Sequence, residues 1–203
     1  MKKAFSLVEI GFVLLIITVV FFTAVPFSVS NVKQARLIAE WKNYVEQINY
    51  TYETLKEYKK NKKLTIKASV SRLIGYLDGK KTENDYLDNY KFKMMNGYFY
   101  QKMSPKKFDE VYIDIKKRII GVEYGDINCE KKENVPCATI WIDLNGKRKP
   151  NIVGKDIFLY EYYPDRVDPY GKGMSYNTLK YDCSRTGTGL SCSEYYLMGG
   201  SLK

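Results

Sequence analysis

Phe5-Ser6-Leu7-Val8-Glu9 leads into a run from Ile10 to Val29 that holds twenty residues and not one charge. Helical backbone rises about 1.5 Å per residue, so such a run is long enough to span the roughly 30 Å hydrocarbon core of a bilayer. Lys2 and Lys3 would then stay on the cytoplasmic side, where basic flanks are retained. A secretory signal has a shorter apolar region that ends in a small-x-small cleavage site. Pro26-Phe27-Ser28-Val29 makes no such site, so removal of the whole segment is not expected. Glu9 is the informative residue. A carboxylate at the edge of an apolar run costs about 2–3 kcal/mol on insertion scales unless a positive group meets it, so Glu9 needs a partner.

Working outward, Val32, Ala35, Ala39, Val45, Ile48, Tyr52 and Leu55 recur mostly three and four residues apart, the period of an amphipathic helix. This predicts one continuous helix from about Phe5 to about Tyr58, on the order of 80 Å long. Lys59, Lys60, Lys62 and Lys63 around Asn61 suit its C-terminus, where cations meet the negative end of the helix dipole. A short helix is predicted over Ser69 to Leu77, and a loop from Gly79 to Asn89. Lys91 to Met95 and Tyr98 to Lys102 flank Asn96-Gly97, a strong hairpin signal. Val111, Ile113 and Ile115 alternate with Tyr112, Asp114 and Lys116 as in a half-buried strand, and Thr139 to Leu144 and Ile157 to Tyr163 read as two more. The expected fold is α+β, a long N-terminal helix laid on an antiparallel sheet, with a loop-rich, disulfide-closed C-terminal third. The expected divisions are a leader over 1–4, an apolar helix over 5–30, its amphipathic continuation over 31–62 and a head over 63–203.

The chain has 203 residues and no histidine, so Ser/His and Cys/His catalytic pairs are excluded and the commonest neutral metal ligand is missing. Against 23 acidic residues stand 33 basic ones, a net +10 that favours acidic partners such as lipid headgroups, nucleic acid or acidic polysaccharide. The 19 tyrosines suit half-wet strands and contact faces. Cys129 and Cys137 form one close pair and Cys183 and Cys192 another, all beyond the apolar run. Neither has Cys-x-x-Cys spacing, and a position past a membrane segment points to an oxidising compartment, so two local disulfides are expected. Four buried free thiols are the alternative, and the sequence does not by itself fix the connectivity.

The N-terminus resembles the type IV pilin and type II secretion pseudopilin family, in which a short basic leader ends in a small residue and is followed by an aromatic and then a glutamate. Lys2-Lys3-Ala4 before Phe5-Ser6-Leu7-Val8-Glu9 matches that order, except that most members carry glycine where this chain has Ala4. The resemblance covers about thirty residues. It implies cleavage between Ala4 and Phe5 by a prepilin peptidase, then N-methylation of Phe5. Glu9 would neutralise the terminal ammonium of a neighbouring subunit during assembly. It also implies local unwinding near Pro26 in the fibre. The implied partners are sister pilin or pseudopilin subunits and an inner-membrane assembly platform. The implied location is the inner membrane, single-pass, with the head periplasmic, and afterwards an extracytoplasmic filament.

In the head, Asp143-Leu144-Asn145-Gly146 through Pro150-Asn151-Ile152-Val153-Gly154-Lys155-Asp156 gathers oxygen ligands and turn formers. Asp143, Asn145 and Asp156 with nearby carbonyls would supply part of the six to eight oxygens that calcium takes. Two tight turns, at Asn145-Gly146 and Pro150-Asn151, explain the same residues without a metal, and Lys147, Arg148 and Lys149 oppose a cation. A similar pattern occurs in pilin-like heads, and some secretion pseudopilins bind calcium in this region. Asp165 and Asp168 flank Arg166 and Pro169 in an expected loop and carry no sign of acid/base work. Thr186-Gly187-Thr188-Gly189 lacks the phosphate-loop lysine and reads as a flexible loop between cysteines. Lys56 to Lys67 suits a solvated helix end as well as it suits DNA. The leading expectation is a non-enzymatic filament subunit. The alternative is a membrane-anchored module whose basic, tyrosine-rich head captures DNA or another acidic polymer.

Overall fold

The computed structural model describes residues 7–61, 64–88, 90–98, 108–125, 129 and 135–201, with side chains described except at 23–30, 59–61 and 84–85. Helix α1 spans Leu7–Asn61, with Glu9 in its first turn, and its backbone runs through Pro26 unbroken. Helix α2 spans Ile66–Tyr76, and the Thr65 hydroxyl caps it by accepting from the Ala68 amide. Among the described residues six strands follow: β1 Lys80–Thr82, β2 Glu110–Ile113, β3 Ile119–Tyr124, β4 Ala138–Asp143, β5 Ile157–Tyr162 and β6 Val167–Pro169. Helices α3, Tyr176–Asp182, and α4, Cys192–Leu197, close the chain. Every strand pairs antiparallel with its neighbour in sequence, giving a meander in the order β1 to β6. Residues 1–37 and 38–203 form two separate compact units.

In the unit from Ile38 onward, register assigns each sheet position to a face. Tyr160 pairs with Ile140, Phe158 with Ile142, and Ile142 with Ile120, so these residues share one face. Helix α1 covers that face with Trp41, Tyr44, Val45, Ile48, Tyr52 and Leu55, all buried. Trp41 stacks on Phe158 with ring centroids 4.7 Å apart and donates its indole N–H to the Ser193 carbonyl at 2.8 Å, which ties α4 to the same seam. Tyr52 meets Tyr162 edge-on, and the Tyr160 hydroxyl donates to Asn49 Oδ1 at 2.6 Å. The opposite face carries Val111, Ile119, Trp141, Ile157 and Leu159, and these pack with Leu87, Tyr90, Phe92, Met94, Phe108 and Val153. Burial on both faces is why β5 reads Ile-Phe-Leu-Tyr-Glu-Tyr without clean alternation. Gly121 permits the second layer to close: a Cβ there would stand 2.6 Å from the Phe108 ring.

Several expectations change. The Asn96-Gly97 turn forms, with the Gly97 amide donating to Met94 O and the Met94 amide to Tyr98 O. Before the turn, Lys93 bridges to Ile152 in parallel and the Met95 amide donates to Thr188 O. Of the second expected arm, residues 99–102 lie outside the described residues. The loop expected from Gly79 contains the edge strand β1 and a 3-10 turn over Asn84–Leu87. Strand β2 stops at Ile113, since Asp114 turns the chain by accepting from the Lys116 and Arg118 amides. That leaves Ile115 exposed. Asp168 lies in β6 rather than in a loop, and the C-terminal third holds two helices. The two local disulfides, Cys129–Cys137 and Cys183–Cys192, are formed.

Candidate functional sites

Three groups of residues bear on function: the first half of α1, the turn between β4 and β5, and polar clusters that fix the head. On α1, Glu9 is exposed, and so are the apolar side chains around it. Ile10, Phe12, Leu14, Ile16, Val20 and Phe22 each keep half or more of their surface open, on every side of the helix. A soluble helix buries one stripe, whereas here apolar side chains are exposed all round the helix. Among the described residues no helix is long and apolar enough to cross a membrane. The described side chains of the apolar run end at Phe22. Ala4 and Phe5, the expected processing residues, lie outside the described residues, as does the side chain of Pro26.

The β4–β5 turn brings together the three residues singled out as calcium candidates. Asp143 ends β4 and Asp156 immediately precedes β5, and both are buried. Asp143 Oδ1 accepts from the Asn145 amide at 3.0 Å, and its Oδ2 takes a short hydrogen bond from the Tyr90 hydroxyl. Asp156 accepts from the Asn151 amide at 2.8 Å, the Ile152 amide at 2.6 Å and the Asn145 side-chain amide at 2.9 Å. Burial pushes the Asp143 carboxyl well above the usual range, and the nearby Asp156 charge adds to it against the Tyr90, Asn145 and Gly146 donors. Burial likewise raises Asp156 despite its backbone donors. Both carboxylates are thus buried acceptors removed from water.

Two further atoms fit that description. Asn145 Oδ1 and Asn151 Oδ1 are buried acceptors with no hydrogen-bond partner among the described residues, a costly state. Both expected turns are also present, with Gly146 and Asn151 at positive φ. Gly146 is obligatory there, since a Cβ would come within 2.3 Å of the Lys117 carbonyl oxygen. Lys147 is drawn away to lie 3.8 Å above the Tyr86 ring, and Arg148 and Lys149 are exposed. No group of three or more acidic, cysteine or histidine residues is gathered for a metal among the described residues. The turn holds two buried carboxylates and two unpartnered amide oxygens. Asn151 was legible in the sequence only as a turn former, and Tyr90 gave no local signal, because its contact with Asp143 spans 53 positions.

The remaining polar clusters are structural. Arg118, buried, is held by Asp114, lies 3.9 Å from Glu40 of α1 and sits 4.1 Å from the Tyr44 ring centroid. Glu110, buried on β2, accepts from Lys81, Tyr112 and Tyr124. Arg166 binds Asp168 at 2.7 Å and Asp165 at 3.3 Å, so those two carboxylates are occupied by an ion pair. The glycine-rich loop between Cys183 and Cys192 is organised by Asp182, which accepts from the amide and hydroxyl of both Thr188 and Ser191. Comparison with known protein families, curated proteins and solved structures finds no match.

Proposed function

We propose that this chain is a structural subunit of a filament of the type IV pilus or type II secretion kind, anchored in the inner membrane before assembly. The observation that carries this reading is the first half of α1: an exposed apolar surface on every side, with a single carboxylate, Glu9, in the opening turn. Lipid, then the apolar helices of sister subunits, would cover that surface. Prepilin peptidase would cut between Ala4 and Phe5, and the new amine of an adjacent subunit would meet Glu9. Replacing Glu9 by Val is expected to leave cleavage intact, read by mass spectrometry, and to stop incorporation into filaments. Normal incorporation of Glu9→Val would overturn the assembly role of the carboxylate.

A second proposal concerns calcium at the β4–β5 turn, supported by the unpartnered Asn145 and Asn151 oxygens beside Asp143 and Asp156. Asp143, Asn145, Asn151 and Asp156 would hold the ion, and its charge would let both buried carboxylates ionise. Its role would be to stiffen the turn, with no reaction attached. Millimolar calcium is expected to raise the melting temperature of the full chain in detergent, and Asp143→Ala to abolish the rise. An unchanged melt leaves the turns standing without a metal.

A further inference from the structure

Between Tyr170 and Ser201 the chain has two acidic residues, Asp182 and Glu194, and both are engaged. Asp182 is turned into its loop by Thr188 and Ser191, and Glu194 is buried 3.7 Å from Lys172. Lys180 and Arg185 are exposed and form no ion pair among the described residues. Residues 172–178 are all exposed, and Tyr176 and Tyr181 keep 44% and 69% of their surface open. At about 100° per residue, the outer arc of α3 runs Tyr176, Lys180, Asn177, Tyr181, with Leu179 on the buried side. Two rings thus flank a cation and an amide on one helix face, with Arg185 just past its end. The tyrosines are separated by about 7.5 Å of axial rise, enough for successive planar groups.

This face is pre-arranged. The Cys183–Cys192 disulfide and the four bonds to Asp182 fix the loop that follows α3, and the Tyr176 ring leans on Tyr195 at 5.6 Å. From the two open rings interleaved with unpaired cations we infer that α3 and its loop form a docking strip for single-stranded nucleic acid. Bases would stack on Tyr176 and Tyr181 while Lys180 and Arg185 meet phosphates. A second copy set face to face on this strip would bring Lys180 and Arg185 against the same cations, with both nearby acids already engaged. A sulfated polysaccharide would use the cations, but the paired open tyrosine rings favour bases.

The test uses the full chain in detergent and a fluorescent oligothymidylate, read by anisotropy across a salt series, with a heparin fragment as a parallel ligand. Tyr176→Ala and Tyr181→Ala are each expected to weaken oligothymidylate binding about fivefold or more. The pair Lys180→Ala and Arg185→Ala is expected to lower the slope of log affinity against log salt by about 1.4. Replacing the exposed Lys80 of edge strand β1 and Lys117 of the β2–β3 turn should change affinity less than twofold. Tyrosine variants that bind like the wild type would overturn the proposal. So would heparin binding that is tighter than oligothymidylate and indifferent to both rings, or an equal loss from the Lys80 and Lys117 pair.

Discussion

Replacing Asp182 by Asn removes one charge and changes one acceptor into a donor at the centre of the Cys183–Cys192 loop. Asp182 Oδ1 accepts from Thr188 N at 2.8 Å and Oγ1 at 2.5 Å, while Oδ2 accepts from Ser191 N at 2.8 Å and Oγ at 2.7 Å. In the variant one oxygen can keep the Thr188 pair at reduced strength, but the new NH2 faces the Ser191 amide. Ser191 is buried, so its N–H loses its partner without gaining water. A stranded buried donor costs about 1–3 kcal/mol, and losing charge assistance on the remaining bonds adds to this, for a total of about 2–4 kcal/mol. In a chain of this size that is a melting shift of about 5–15 °C. Thermal unfolding of the full chain in detergent, with disulfides intact, reads it.

The same substitution has a pH signature. Burial would raise the Asp182 carboxyl, but the Thr188 and Ser191 donors outweigh it and hold it below the usual value. An acid with a depressed folded pKa contributes stability above its unfolded pKa of about 3.9, and that stability is lost as pH falls through the lower folded value. The gap between wild type and Asp182→Asn should be full at pH 7 and shrink below about pH 4. A variant as stable as wild type at pH 7, or a gap that persists unchanged in strong acid, would refute the account.

Trp41→Ala removes the ring stacked on Phe158 and the bond to Ser193 O, and should cost about 3–5 kcal/mol in a urea titration. Gly121→Ala drives a methyl into the Phe108 ring and should cost about 1–3 kcal/mol, partly recovered by adding Phe108→Leu, as measured by melting. Reduction of the two disulfides, which close loops of 8 and 9 residues, should lower stability by about 2–3 kcal/mol each, followed with and without reductant.

The Trp41 seam also shows how far local pattern reaches. Trp41 lies within the run from Val32 to Leu55 whose periodicity predicted α1, yet its partners Phe158 and Ser193 are over a hundred residues away. Helix α1 was legible because a buried stripe writes its period into neighbouring residues, and strands β4 and β5 because a strand buried on both faces is a short run of apolar and aromatic residues. Strands β1 and β6 are three residues each, too short to carry a period, whereas Asn96-Gly97 signalled a turn that does form.

Of the candidate sites, the apolar run and Glu9 are properties of consecutive residues, so the sequence alone specified them, with no tertiary neighbour needed. The pairing of each cysteine with its near neighbour was foreshadowed for the same local reason. Only the tertiary structure decided that Tyr90 would meet Asp143, that the Asn145 and Asn151 oxygens would be buried without donors, and that the sheet would be covered on both faces. Those outcomes depend on which distant segment takes up the space beside each group. Burial and hydrogen bonding are then settled by the packing of the whole head rather than by any stretch of the chain.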